Sequence, residues 1–287
     1  MSYKEVYDWG TEELRQARIA DAELDARLLL EYVCGTDRNT LLAHGEREVT
    51  AQEKESYVNL ISERRKHIPL QYLTGVQDFM GLEFSVDTNV LIPRQDTEIL
   101  VEEVMRHLHD GMRILDMCTG SGCILLSLLY YSNDCTGLGV DISENALQTA
   151  RRNAEKISAK KAEEEKKELH ADFMQSDLFE KMNPELFDII VSNPPYIRQD
   201  VIETLMPEVR DYEPLLALDG REDGLYFYRA ILQQTGNYLT RGGMLFFEIG
   251  YDQGHAVKAL MKAAGYAEVE VIQDFAGLDR VVWGIRI

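Results

Sequence analysis

Residues 191–197, Val-Ser-Asn-Pro-Pro-Tyr-Ile, place one asparagine before two prolines and a tyrosine, at the end of the apolar run Phe187-Asp188-Ile189-Ile190. A residue that precedes proline is driven out of the helical region, and proline itself has no N–H to donate. Asn193-Pro194-Pro195 is therefore held extended with its carbonyl groups free to accept. A planar amino group suits such a loop. One of its N–H bonds meets the Asn193 side-chain oxygen and the other the Pro194 carbonyl, with Tyr196 packed against its flat face. Pro-Pro also serves simply to end a strand, with the tyrosine in the core. Position relative to a ligand site decides between the two.

That site is indicated by the stretch Asp116–Cys123, Asp-Met-Cys-Thr-Gly-Ser-Gly-Cys. Gly120 and Gly122, between an apolar strand and an apolar helix, let the backbone approach a ligand and aim the helix N-terminus at it. A dinucleotide fingerprint needs a third glycine three residues further on, where this chain has Leu125. A tight turn without a ligand has the same appearance. Asp141 shifts the balance, because it ends the next strand 19 positions after Gly122 (141 − 122), close to the spacing at which an acid meets ribose hydroxyls. Ser143 already supplies the following helix with a cap. A third contact is Gln175-Ser176-Asp177-Leu178-Phe179, where Asp177 can accept from an adenine amino group and Leu178 can cover the ring; capping a turn is the other use of Asp177.

The elements that must position these residues follow from periodicity. Asp21 and Gly35 bracket one helix, and Thr50 with Glu53 forms a capping box for another that ends by Pro69. Residues 1–75 read as a helical domain. Residues 76–92 alternate apolar and polar around Gly81 and read as a β-hairpin linker. From 93 to 287 strand and helix patterns alternate, which predicts a parallel α/β sheet whose last strand, reached by a short connection, runs antiparallel. In a doubly wound sheet the first and fourth strands flank the point where ligands bind, so the Asn193 loop faces the reactive end of whatever the glycine loop holds. The charged run Lys156–His170 reads as a solvated helix extension with i,i+4 pairs, or as a loop, and carries no assigned role.

Fifty acidic against 30 basic residues give a net charge of −20 over 287 residues. Such a chain repels a phosphate backbone, so no direct nucleic-acid partner is expected. The four cysteines contain no C-x-x-C pair and the six histidines show no ligand spacing with them, which indicates neither a disulfide framework nor a metal site. No apolar run approaches a signal-peptide core or a membrane span, and a cytoplasmic location is expected.

Together Leu-Asp-Met-Cys-Thr-Gly-Ser-Gly, Val-Asp-Ile-Ser, Gln-Ser-Asp-Leu-Phe and Val-Ser-Asn-Pro-Pro-Tyr-Ile resemble the class I S-adenosylmethionine-dependent methyltransferases that act on amino groups. More narrowly, PLQYLTG, VLIPRQDTE, EVRDYEP, DGLYFYR, FFEIGYDQG and GLDRVV resemble the family that methylates a glutamine side-chain amide, at N5, in peptide chain release factors. The resemblance runs from about Pro69 to the C-terminus. It implies a helical N-terminal domain for substrate recognition, a hairpin link and a Rossmann-like, seven-stranded methyltransferase domain. It also implies that S-adenosyl-L-methionine lies with its methionine end along Cys118, Thr119, Gly120, Ser121 and Gly122, its ribose on Asp141 and its adenine near Asp177 and Leu178. The reactive end then meets Asn193, and the substrate glutamine sits on Asn193, Pro194, Pro195 and Tyr196, of which Asn193, Pro194 and Tyr196 carry the catalysis. The sequence departs from the family pattern at Cys118, where glycine is usual, and in Arg-Gln-Asp-Thr-Glu. A ribosomal-protein glutamine, adenine N6, cytosine N4 and a non-catalytic relative are the competing readings. No histidine is nominated as a base.

Overall fold

A computed structural model describes residues 1–287. Two compact units divide the chain: Met1–Val76 with Met206–Tyr212, and Gln77–Leu205 with Glu213–Ile287.

The first unit holds five helices in its N-terminal stretch: α1 (Tyr3–Gln16), α2 (Ala22–Cys34), α3 (Arg38–Ala43), α4 (Ala51–Arg64) and α5 (Leu70–Thr74). Thr50 closes the expected capping box with Glu53, and Gly35 ends α2 in the left-handed region. Helix α4 stops at Arg64, earlier than the proline suggests, and Pro69 instead precedes α5. Leu14, Leu29, Leu30, Tyr57 and Ile61 fill the core. The segment Met206–Tyr212 belongs to this unit although its neighbours in sequence do not. Buried Arg64 holds it, pairing with Asp25 at 2.7 Å and with Glu208 at 3.1 Å. Within 93–287 this segment thus packs with the helical unit, and an ion pair between residues 144 positions apart leaves no local signal of it.

The second unit opens with the hairpin β1 (Val76–Phe79) and β2 (Leu82–Ser85). This hairpin is more than a linker, since Phe79, Leu82 and Phe84 are buried in the main core and Asn153 bonds Ser85 on both its N–H and its carbonyl. Next come α6 (Gln95–His107), β3 (Arg113–Met117), α7 (Cys123–Tyr131), β4 (Thr136–Asp141), α8 (Glu144–Glu165), β5 (His170–Gln175) and β6 (Phe187–Ser192). Three short helices follow, α9 (Gln199–Ile202), α10 (Pro207–Arg210, in the first unit) and α11 (Leu215–Leu218). The chain closes with α12 (Tyr226–Thr235), β7 (Leu239–Glu248), α13 (Gly254–Ala263), β8 (Tyr266–Gln273) and β9 (Asp279–Arg286).

The seven strands β3 to β9 form one sheet in the order β5-β4-β3-β6-β7-β9-β8, parallel except where β9 pairs antiparallel with β7 and β8. Apolar side chains alternate to its two faces. Ile114, Ile189, Val191 and Phe246 pack on one face with α6 and α7, and Leu115, Ile190, Leu245 and Phe247 on the other with α12 and α13. Strands β3 and β6 are neighbours, so the loops that leave their carboxyl ends face each other across the reversal of strand order.

The charged run as far as Glu165 is the end of α8, and it is not wholly solvated. Lys161 is 2% exposed and donates to the carbonyls of Leu129 at 2.8 Å, Tyr130 at 2.7 Å and Ser132 at 2.8 Å, which closes the C-terminus of α7. Lys161→Met should leave three carbonyls without this donor and cost roughly 1–3 kcal/mol. Urea denaturation checks it, with an unchanged midpoint the contrary result.

Candidate active site

The loop after β3 carries three consecutive tasks. Cys118 sits at φ 64°, Gly120 at 54° and Gly122 at 79°. A Cβ on Gly120 would enter open space at the cavity wall, whereas one on Gly122 would press against Leu126 and Ala150 at 3.1 and 3.3 Å. Gly120 is therefore the glycine that faces the open cavity, and Gly122 the one that lets α7 close on α8. Cys118 adopts a left-handed conformation with a side chain in place, a strained choice for a non-glycine residue. Burial pushes its thiol well above the usual range, which disfavours the thiolate form.

Two carboxylates hold this loop in shape. Asp141, at the end of β4, accepts from the Gly120 N–H at 2.9 Å and from the Ser143 N–H at 2.9 Å, one on each oxygen. Each oxygen keeps a lone pair for a ligand. Asp116, fully buried, accepts from the Thr119 hydroxyl at 2.6 Å and the Leu125 N–H at 3.3 Å, and its Oδ1 has no partner. Burial pushes the Asp116 pKa up to about 7, and the neighbouring Asp141 charge adds to this. A carboxyl raised in the folded state stabilises the fold below its ordinary pKa, and that stability is lost as pH rises toward 7. Relative to Asp116→Asn, which does not titrate, the wild type should lose on the order of a few kcal/mol between about pH 4 and pH 7. Chemical denaturation at pH 5 and pH 8 measures it; equal pH slopes for the two proteins are the contrary result.

One cavity in the second unit gathers the site. Cys118, Thr119, Gly120, Ser121, Asp141, Asp177, Leu178, Asn193 and Pro195 all line it. Gly122, Pro194 and Tyr196 do not. Pro194 is buried, and Tyr196 anchors the loop from behind: its carbonyl accepts from Gln253 Nε2 at 3.0 Å and its hydroxyl donates to Glu248 Oε1 at 3.4 Å. Asn193 Nδ2 donates to the Thr97 hydroxyl at 3.4 Å. Arg94, Thr97, Leu216, Arg221 and Tyr226 also line the cavity and carry no role in the sequence reading. Arg94 pairs with buried Glu213. Their motifs were visible, Arg94 and Thr97 in Pro-Arg-Gln-Asp-Thr-Glu, but only the fold brings them to the glycine loop.

The family model described as PrmC N-terminal domain matches residues 5–75, and that described as Methyltransferase small domain matches residues 94–208. A solved methyltransferase from Pyrococcus furiosus superposes with a TM-score of 0.52 at 17% identity, covering 72% of this chain and 89% of its own, a likeness of fold alone. The sheet order, its single reversed strand and the glycine loop at its centre define a class I S-adenosylmethionine-dependent methyltransferase fold. The release factor glutamine methyltransferase of Clostridium acetobutylicum is 41% identical over 266 residues, covering 91% of this chain and 90% of its own, and that of Clostridium botulinum is 40% identical over 284 residues, 98% of each. The chain belongs to the release factor glutamine methyltransferase family.

Proposed function

We propose that the protein transfers a methyl group from S-adenosylmethionine to the side-chain amide nitrogen of the glutamine in the Gly-Gly-Gln loop of peptide chain release factors. The observation that carries this reading is that Asn193 and the glycine loop line the same cavity. The residues present fit the cofactor: Asp141 and Asp177 line the cavity beside the glycine loop, which suits a cationic nucleoside and repels a pyrophosphate. Asp141 would hold the ribose, Asp177 and Leu178 the adenine, and Cys118 to Ser121 the methionine end. When bound there, the cofactor supplies a methyl group on a positively charged sulfur, open to in-line displacement.

The protein's own part is to present an amide nitrogen on that line. An amide lone pair is delocalised, so the nitrogen is a weak nucleophile. The Asn193 side-chain oxygen, accepting from one of its hydrogens, strengthens as the nitrogen becomes cationic, which places this stabilisation in the transition state; the Pro194 carbonyl is the proposed acceptor for the other, although that residue does not line the cavity. The amide proton leaves afterwards, and no residue of the cavity is needed as a strong base. Tyr196 enters this proposal as the anchor of the loop rather than as a wall of the cavity. The helical unit is proposed to recognise the protein substrate.

Transfer of labelled methyl groups to a panel of release factors, ribosomal proteins, DNA and RNA tests the reading. Label on a release factor supports it; label only on a ribosomal protein, or only on nucleic acid, replaces it with that substrate.

A further inference from the structure

Asn193 can serve as an acceptor only if its amide is turned the right way. The side chain has a donating end and an accepting end of nearly the same shape, and a rotation by half a turn exchanges them. With Oδ1 toward the cavity it receives a substrate N–H. With Nδ2 toward the cavity it opposes that N–H with another donor.

What selects the orientation lies behind the loop, on two other elements. Thr97, in the first turn of α6, is 2% exposed, and its Oγ1 takes the Asn193 Nδ2 hydrogen at 3.4 Å. A hydroxyl that accepts there keeps one proton of its own to donate. Glu248, the last residue of β7, is 3% exposed, and its Oε1 takes the Tyr196 hydroxyl proton at 3.4 Å. Its Oε2 is buried without a hydrogen-bond partner; burial pushes the pKa of this carboxyl up to about 7, and the Thr97 hydroxyl beside it pulls the other way. Above that pH Glu248 is a carboxylate, which accepts and cannot donate, so beside it the Thr97 proton has one favourable direction. That leaves the Thr97 oxygen as an acceptor and makes Asn193 present its NH2 to it.

We infer that Thr97 and Glu248 are positioning residues for the reaction, a relay that fixes the polarity of the Asn193 amide so that its oxygen faces the substrate amino group. Glu248 has a second hold on the same loop through the Tyr196 hydroxyl. The inference rests on the proposed role of Asn193, and it adds that the role is imposed from α6 and β7 rather than by the loop itself. The polarity is set by hydrogen-bond donors and acceptors, so an isosteric change that removes or reverses one of them should act on catalysis and leave packing in place.

Thr97→Val keeps the shape and deletes the hydroxyl, freeing the Asn193 amide to turn. It should lower kcat about 10- to 100-fold, the range seen when an outer partner of a reacting group is lost, with cofactor affinity and melting temperature unchanged. Thr97→Ser restores the hydroxyl and should recover kcat to within about threefold of wild type. Glu248→Gln can donate toward Thr97 and reverse the relay, so it should lower kcat with little change in KM. The decisive measurement is the double variant Thr97→Val with Asn193→Ala. If Thr97 acts through Asn193, the double variant is no slower than Asn193→Ala alone. Wild-type kcat in both Thr97→Val and Glu248→Gln, or losses that multiply in the double variant, overturn the inference; should Thr97→Val not fold, Glu248→Gln combined with Asn193→Ala gives the same comparison. The ratios are read on whichever amino substrate the wild type methylates, so a wrong substrate assignment changes the substrate and not the ratio.

Discussion

Asn193→Ala should lower kcat by about 10²–10³, the loss typical of removing one preorganised polar group from a developing charge. The side chain lines the cavity with the glycine loop but makes no hydrogen bond to that loop; its recorded bond is to Thr97. Cofactor affinity should therefore change far less than kcat. Measuring methyl transfer at saturating cofactor, with calorimetry of cofactor binding on the same preparation, separates the two. A variant that lost cofactor yet kept its turnover at saturation would reverse the division of labour between the two loops.

Asp141→Ala should show the opposite split. In the proposed role it removes an acceptor for two ribose hydroxyls, worth on the order of 1.5–3 kcal/mol, or roughly ten- to a hundredfold in affinity. The structure adds a second loss, because the same carboxylate holds the Gly120 N–H at 2.9 Å and so keeps the ligand-facing glycine in its left-handed turn. Asp141→Asn retains one acceptor oxygen and should fall between alanine and wild type. Calorimetry with S-adenosylmethionine reads the series; alanine binding as tightly as aspartate, in a folded variant, would remove Asp141 from the site.

Much of this arrangement was legible from local chemistry. The capping box at Thr50, the turn at Gly81 and the apolar runs of β3 and β6 are written within a few residues of where they act. From the alternation of strand and helix the sheet followed, and with it the meeting of Asn193 and the glycine loop. The rest depends on partners distant in sequence. Nothing near Lys161 announces that it closes a helix 30 residues upstream, since a buried lysine with three carbonyls looks in sequence like any other member of a charged run. Tyr196 reads as a wall of the pocket until Gln253, 57 positions away, is seen holding its carbonyl from behind. The two glycines of the loop look equivalent in sequence; only the packing of Leu126 and Ala150 against Gly122 gives them different tasks. Thr97 and Glu248 belong to motifs that could be quoted, but their relation to Asn193 exists only across the loops of the folded sheet.

The most direct test of the proposed activity is mass spectrometry of the Gly-Gly-Gln peptide from a release factor incubated with the protein and S-adenosylmethionine. One added methyl on the glutamine side-chain nitrogen is the predicted result, abolished when that glutamine is replaced by alanine or by glutamate, whose carboxylate has no N–H to give to Asn193 and Pro194. An unmodified glutamine, alongside robust methylation of DNA or RNA by the same preparation, would contradict it.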